Sequence, residues 1–221
     1  MRYLLLPLVV LSFAVRAQTK FQLPKEPVYY KKAISFSPLA LLQVDFTLMG
    51  GYEYRPKPGL GLVLEAGYIF GSAVVNSNNS DELLTGTGFI VRPALRKYIG
   101  DRQVFYVQPQ LFYKEVTHRI TDWLGRDCVE DVPTYSSLET FRLRRHVMGG
   151  NMVFGLMAPL SKRHKLFLDF YAGIGYRYKT EKIVDRPNCC YEPARAFFLE
   201  GEQTNFLPSL PGGVKMVFVL E

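Results

Sequence analysis

Two histidines flank the polar stretch 119–139, and their side chains are the ones in this sequence best suited to chemistry. His118 directly precedes this stretch and His146 follows it by seven residues. An imidazole there can act as a general base beside Asp122 or Ser136. Spacing in one sequence does not assemble a triad, so we expect these histidines to be solvated residues at a rim. We therefore predict no catalytic residue and no cofactor.

The same stretch is rich in carboxylates, whose oxygens are the ligands that Ca²⁺ prefers. They are Asp122, Asp127, Glu130 and Asp131. Their spacing departs from that of an EF-hand calcium loop. We interpret them as an acidic, solvated loop and predict no metal ligand.

Three cysteines fall in two polar stretches, with Cys128 in 119–139 and Cys189 and Cys190 in 181–208. Three are too few to build a fold from disulfides, although thiols outside the cytoplasm are free to form one. One arrangement is a bridge from Cys128 to Cys189 or Cys190, which leaves one thiol over. The alternatives are three free thiols or a strained vicinal bridge.

The N-terminus has the layout of a secretory signal peptide. Arg2 precedes the apolar run Leu4 to Val15, and small residues occupy positions suited to cleavage after Ala17. We predict a signal peptide over 1–17, an N-terminal periplasmic segment over 18–31 and one domain over 32–221. The net charge of +7 is dispersed. Basic residues do not cluster with aromatic ones, so we predict no nucleic-acid partner.

Alternation of apolar and other residues is the main pattern after the signal peptide. No later stretch is long and apolar enough for a transmembrane helix, whereas a period of two is typical of strands with one apolar face. Eight strands are predicted, at 32–42, 44–55, 60–72, 86–99, 103–118, 140–157, 165–180 and 209–221. The sixth changes parity near Arg145 and His146, which indicates either a bulge or the point where it leaves a membrane.

The connections alternate between short and long. Short ones follow strands two, four and six, and the long polar ones cover 73–85, 119–139 and 181–208. In an up-and-down meander every second connection lies at the same end, so all long loops share one end. The pattern predicts an all-β fold, an eight-stranded antiparallel up-and-down β-barrel that crosses a membrane.

The apolar faces of the strands carry almost no charge, which favours their facing lipid. The opposite faces carry small residues and isolated charges, which suit the narrow interior of an eight-stranded barrel. We predict an interior charge network of Glu53, Glu65, Arg92, Arg96, Lys114, Asp169, Arg177 and Lys215. Arg55 and Lys179 are expected in water at the rims. Tyrosines near strand ends are expected to form an interfacial girdle: Tyr52, Tyr54, Tyr68, Tyr98, Tyr113, Tyr176 and Tyr178.

Three segments carry a resemblance to a known group. Ile34-Ser-Phe-Ser-Pro-Leu-Ala-Leu-Leu42, Gly51-Tyr-Glu-Tyr-Arg55 and Leu64-Glu-Ala-Gly-Tyr68 are similar to segments of the small eight-stranded outer-membrane barrels of Gram-negative bacteria. These are the OmpA/OmpX-like proteins, and the resemblance is to a subgroup of unknown function. It implies insertion by the barrel assembly machinery, with Phe218 in place of the usual terminal aromatic residue, and it carries no catalytic residue across.

The resemblance and the pattern together favour a non-enzymatic protein of the outer membrane. Its role would be structural or surface-interacting through long extracellular loops, without an open pore. Its partners would be outer-membrane lipid, the assembly machinery and an unidentified extracellular ligand. Two alternatives stay open: a lipid-modifying enzyme with a rim site, and a soluble lipocalin-like barrel with the apolar face inside.

Overall fold

The computed structural model describes residues 27–42, 45–72, 86–127, 133–160, 165–185, 189–190 and 206–220. The predicted signal peptide, Cys128, Glu130 and Asp131 lie outside these ranges. In the described part of the chain, no helix is long and apolar enough to cross a membrane.

The structure is built from antiparallel strands. They are β1 (Lys32–Phe36), β2 (Asp45–Lys57), β3 (Leu60–Ser72), β4 (Gly86–Ile99), β5 (Phe105–Arg126), β6 (Tyr135–Pro159), β7 (Leu166–Ile183), β8 (Cys189–Cys190), β9 (Phe206–Ser209) and β10 (Gly212–Val219). A single turn of 3-10 helix, Pro38–Leu42, follows β1.

Eight of these strands close into a ring. From β1 to β7 each strand pairs with the next, and β10 pairs with both β7 and β1. β9 continues β10 along β7, and across the break between them the Gly173 N–H donates to the Pro211 carbonyl at 2.8 Å. The prediction of an all-β, antiparallel, eight-stranded meander is confirmed at this level.

Short turns join β2 to β3 and β4 to β5, at one end of the ring. Gly59 and Gly100 have positive φ values of 81° and 76°, a backbone conformation that side chains with a Cβ disfavour. The turns are tight because glycine occupies these two positions. The end of the ring that holds them is called the short-turn end below.

The first predicted strand, 32–42, is wrong in its second half. β1 ends at Phe36, and Pro38 has no N–H with which to continue the ladder. The apolar residues that follow form the 3-10 turn, whose Ala40 packs on Met49 and Ile90 inside the ring. The connection to β2 is therefore much longer than predicted, and it covers part of the interior.

The loop predicted over 119–139 is also wrong, because β5 and β6 continue through most of it. Their ladder runs without a register shift from Phe105↔Leu156 to Arg126↔Tyr135, and β6 stays paired with β7 as far as Leu143↔Ile183. The bulge expected near Arg145 and His146 is absent from these ladders. What changes there is the chemical character of the two faces.

This change divides the sheet into two regions. The ring is the closed part, where outward side chains are apolar. The extension is formed by 115–126 of β5, 135–146 of β6 and 180–183 of β7. Its base, 115–118, still pairs with 86–89 of β4, and the rest protrudes beyond the ring. The inward side of the extension carries an apolar cluster of Leu124, Phe141 and Leu143, with Ile120 and Ile183 against it.

Candidate functional site

Glu53 is the centre of the buried polar cluster inside the ring. Its carboxylate accepts from Arg55 Nε at 3.0 Å and Arg96 at 3.1 Å, and from the hydroxyls of Tyr98 at 2.5 Å and Tyr30 at 3.1 Å. β2 presents it inward because Tyr52 and Tyr54, on either side, point out. Four donors on one carboxylate offset the large cost of burying its charge.

Arg96 links Glu53 to a second carboxylate, Asp169 on β7. The guanidinium reaches Asp169 Oδ2 at 3.2 Å and donates through Nε to Gln108 at 2.7 Å. Tyr106 donates to Asp169 Oδ1 at 2.7 Å, and its ring lies under the guanidinium carbon at 3.9 Å. The chain of contacts thus crosses the ring from β2 through β4 to β7.

A third pair, Glu65 with Lys215, connects β3 to β10, where Lys215 lies opposite Asp169 of β7. Both side chains are 2% exposed and in direct contact, and Arg92 lies 3.9 Å from the other Glu65 oxygen. A cavity beside Glu53, Arg96 and Asp169 has room for about one water molecule. The interior is filled by side chains whose charges pair with one another.

Arg55 is fully buried, so the prediction that it lies in water is wrong. Its guanidinium is sandwiched between the rings of Tyr30 and Tyr98, 3.6 Å and 3.5 Å from their centroids. Tyr98 therefore faces inward and does not belong to the predicted girdle. Arg55 also donates to the Val28 carbonyl at 3.2 Å, which fixes the segment before β1 inside the ring.

The segment 27–31 closes the short-turn end. Val28 and Tyr30 are buried in the main core cluster with residues from β4, β6, β7 and β10. The Val28 N–H donates to the Arg102 carbonyl, in the turn between β4 and β5. The sequence analysis places this segment in the N-terminal periplasmic segment 18–31 and does not predict its burial inside the ring. The available signal was the alternation of Val28 and Tyr30 with polar or exposed neighbours.

Two of the eight predicted network residues lie elsewhere. Lys114 pairs with Asp45, to which Ser72 also donates at 2.6 Å. This separate cluster lies at the end of the ring opposite the short turns, called the long-loop end below. Arg177 is exposed. Lys179, expected in water, is partly covered and lies 3.2 Å from Glu181.

Around the outside of the ring runs a band of apolar side chains. The exposed fractions of Leu62, Leu64 and Phe170 are 49%, 53% and 43%. The outward positions of the described ring strands, from Ile34 on β1 to Phe218 on β10, are almost free of charge: Lys97, between Leu95 and Ile99 near the short-turn end, is the charged residue among them. We call this surface the outer band. Its larger exposed tyrosines are Tyr52, Tyr68, Tyr176 and Tyr178.

His118 and His146 lie on opposite faces of the extension and form no common site. His118 is 1% exposed, and neither ring nitrogen has a hydrogen-bond partner among the described residues. Burial, helped by the charge of Arg145, lowers the pKa of His118 to about 4. His146 lies on the outward face of the extension, with Nδ1 2.9 Å from the Tyr113 hydroxyl and 3.5 Å from Glu115.

The residues considered as triad partners are far from His118 along the sheet. His118 pairs with Leu143, whereas Ser136 pairs with Gly125 and Asp122 with Glu139. At ~3.3 Å per residue, seven positions put Ser136 roughly 23 Å away. Among the described residues, no group of three potential ligands is placed to hold a metal ion.

The bridge from Cys128 stays one of the alternatives, because Cys128 lies outside the described residues. The backbone does pair β8 with the end of β5, so that Cys189 lies opposite Arg126 and Cys190 opposite Gly125. Cys128 follows Arg126 by two positions in the sequence. The two stretches that the bridge would join are therefore neighbours.

No protein-family model and no curated protein sequence matches the chain. A functional conclusion therefore rests on the geometry: an interior whose carboxylates pair with cations, an apolar outer band and a charged extension.

Proposed function

We propose that the ring spans the outer membrane of a Gram-negative bacterium as a β-barrel, after export directed by residues 1–17. In this proposal the protein is an integral membrane protein of the OmpA/OmpX-like kind, inserted by the barrel assembly machinery. The outer band faces lipid, the short-turn end faces the periplasm, and the extension projects from the cell surface.

The apolar outer band carries this proposal. A large exposed apolar surface is unfavourable in water, whereas a band about 25 Å tall is what a membrane barrel presents to lipid. The outward apolar stretches of β2, β5 and β7, at 46–54, 105–113 and 166–178, have the length of about nine or more residues that a tilted spanning strand needs. The charges of Glu53, Arg96 and Asp169, at these levels, point inward and are paired.

The filled interior supports a structural role without an open pore. Glu53, Arg96 and Asp169 cross the ring, and Val28 and Tyr30 close its short-turn end. An eight-stranded barrel has an interior just wide enough for side chains to fill. Steady, reproducible single channels in a planar bilayer would contradict this part of the proposal.

Surface interaction is assigned to the long-loop end, because only that end would face the outside. The extension raises a three-stranded platform above the outer band, with Trp123 and Leu138 paired and exposed near its tip. Rigid strands that present exposed side chains suit recognition of a partner.

Cell fractionation followed by gel electrophoresis tests the proposal. We expect the full-length protein in the outer-membrane fraction, soluble only with detergent. We also expect the unboiled sample to migrate at a different apparent size from the boiled one, because the closed ring resists unfolding by the gel detergent. Monomeric protein in aqueous buffer, with no shift on boiling, would overturn it.

A further inference from the structure

Four cationic side chains lie together on the outward face of the extension. Arg119 on β5 is directly opposite Arg142 on β6, and Arg144 on β6 is directly opposite Lys182 on β7. Arg142 and Arg144 are two positions apart on one strand, so their side chains share a face. We call these four residues the basic wall.

The basic wall is unfavourable without an anion. Like charges directly opposite each other on a sheet are destabilising, and here two such pairs are adjacent. Among the described residues, two carboxylates lie close. Glu115 is 3.7 Å from Arg144, and Asp185 accepts from the backbone N–H of Arg142 at 2.9 Å. Two anions against four cations leave an excess of positive charge on this face.

The acidic residues of the extension mostly face the other way. Glu181 pairs with Arg145 at 2.6 Å and Glu139 with Arg126 at 2.7 Å, on the inward side of the sheet by the alternation of β6 and β7. Glu115 also accepts from the Tyr113 hydroxyl at 3.1 Å. The protein therefore pairs its inward charges and leaves the outward cations in excess.

The height of the basic wall matches lipid headgroups. The last apolar outward residue of β6 before the extension is Met148. Arg144 and Arg142 follow at four and six positions, about 10 to 15 Å farther along the membrane normal for a tilted strand. Headgroups occupy a layer about 5 to 8 Å deep beyond the hydrocarbon core, and long basic side chains extend back toward it from a backbone that lies farther out. In that layer a basic side chain meets phosphate.

We propose that the basic wall binds the phosphate groups of the outer-leaflet lipid, a phosphorylated glycolipid. The proposal rests on the membrane orientation proposed above. Arginine forks recognise phosphate with two parallel hydrogen bonds, and cations on neighbouring strands can hold a headgroup that carries two phosphates. The lipid would remove the repulsion between the opposed pairs and fix the protein's height in the membrane.

Lipid binding by the full-length protein tests this. The probes are diphosphorylated lipid A and its fully dephosphorylated form, each added to the protein in phosphatidylcholine vesicles. The test variant is Arg142→Gln with Arg144→Gln, and a second is Arg119→Gln with Lys182→Gln. The matched control is Lys97→Gln with Lys165→Gln, which removes two exposed charges near the short-turn end.

We expect both basic-wall variants to bind diphosphorylated lipid A at least tenfold more weakly than the wild type and the control. The dephosphorylated form should bind weakly and equally to all four proteins. Equal binding of diphosphorylated lipid A by all four would overturn the inference. So would tighter binding of heparin than of the lipid, since that would assign the wall to a soluble polyanion.

A gel shift on boiling, recorded for each protein in the same vesicles, separates the two proposals. If the wild type fails to insert, the membrane assignment itself falls. If all four proteins insert and show no preference for phosphate, only the lipid-binding inference falls.

Discussion

Along β5 the outward side chains change from Phe105, Val107 and Leu111 in the ring to Thr117, Arg119 and Thr121 in the extension. Over the same length, the inward side chains change from Gln108 and Gln110 to Ile120 and Leu124. The strand is continuous and its ladder with β6 has no register shift. One piece of regular backbone therefore carries two opposite polarity patterns.

The contrast between the ring and the extension shows what determines which face of a strand is apolar. In the extension the pattern is that of a water-soluble sheet, with Leu124, Phe141 and Leu143 covered and arginines exposed. In the ring, ions are inside and leucines outside. Strand geometry fixes only the alternation. The medium on each side selects which set is apolar, so the reversal near His146 is consistent with a boundary between lipid and water.

The largest expected effect comes from breaking the ionic interior of the ring. Glu53→Gln leaves Arg55 and Arg96 buried without their main counter-charge, and should lower the free energy of unfolding by about 3 to 5 kcal/mol. The matched control is Glu115→Gln on the outward face of the extension, where the side chain is partly exposed. This substitution is expected to cost under about 1 kcal/mol. Urea titration in detergent micelles, followed by the gel shift, measures both. Equal effects would contradict the contrast between the regions.

Breaking the apolar side of the extension should have a local effect. Phe141 is 1% exposed, and Phe141→Ala should destabilise the extension by about 3 kcal/mol through lost burial and a cavity. Trp123 is the single tryptophan of the chain and lies in the extension. Its fluorescence should change at lower urea, while the gel shift of the ring keeps its midpoint. Loss of both signals together would show that the two regions unfold as one unit.

The same substitution on the two outer faces sharpens the comparison. Leu64 in the ring and Leu138 in the extension are similarly exposed, at 53% and 59%. If the outer band faces lipid as proposed, Leu64→Arg places a charge in the hydrocarbon and should cost about 2 to 4 kcal/mol in vesicles. Leu138→Arg should cost under about 0.5 kcal/mol, as for most surface changes. Similar urea midpoints for the two variants in vesicles would argue that the outer band does not contact lipid.

Much of the ring could be predicted from the sequence, because period-two alternation with one apolar set is a strong signal. The extension is not predicted from the sequence because its apolar residues occupy the inward positions, whereas those of the ring occupy the outward ones. One continuous apolar face therefore ends at the base of the extension. The Glu53 partners Tyr30 and Tyr98 were missed for a related reason. A tyrosine near a strand end reads as interfacial, and only the pairing of distant strands brings these hydroxyls to one carboxylate.

The smallest predicted effect concerns His118, buried on the inward side of the extension. Its pKa of about 4 lies below the ordinary value of ~6.5, so the unfolded chain takes up a proton before the folded one does. Above pH 6.5 the histidine is neutral in both states and costs nothing. As the pH falls from 7 to 5, the wild type should lose about 2 kcal/mol of stability.

His118→Gln, which does not titrate, is the control for this loss. Carboxylates titrate in both proteins, so the difference between the two urea midpoints, read from Trp123 fluorescence, isolates the histidine. We expect the variant to lose about 2 kcal/mol less than the wild type between pH 7 and pH 5. An identical loss in both would mean that His118 is protonated in the folded extension, paired with an acid such as Asp45, whose charge opposes the lowered pKa.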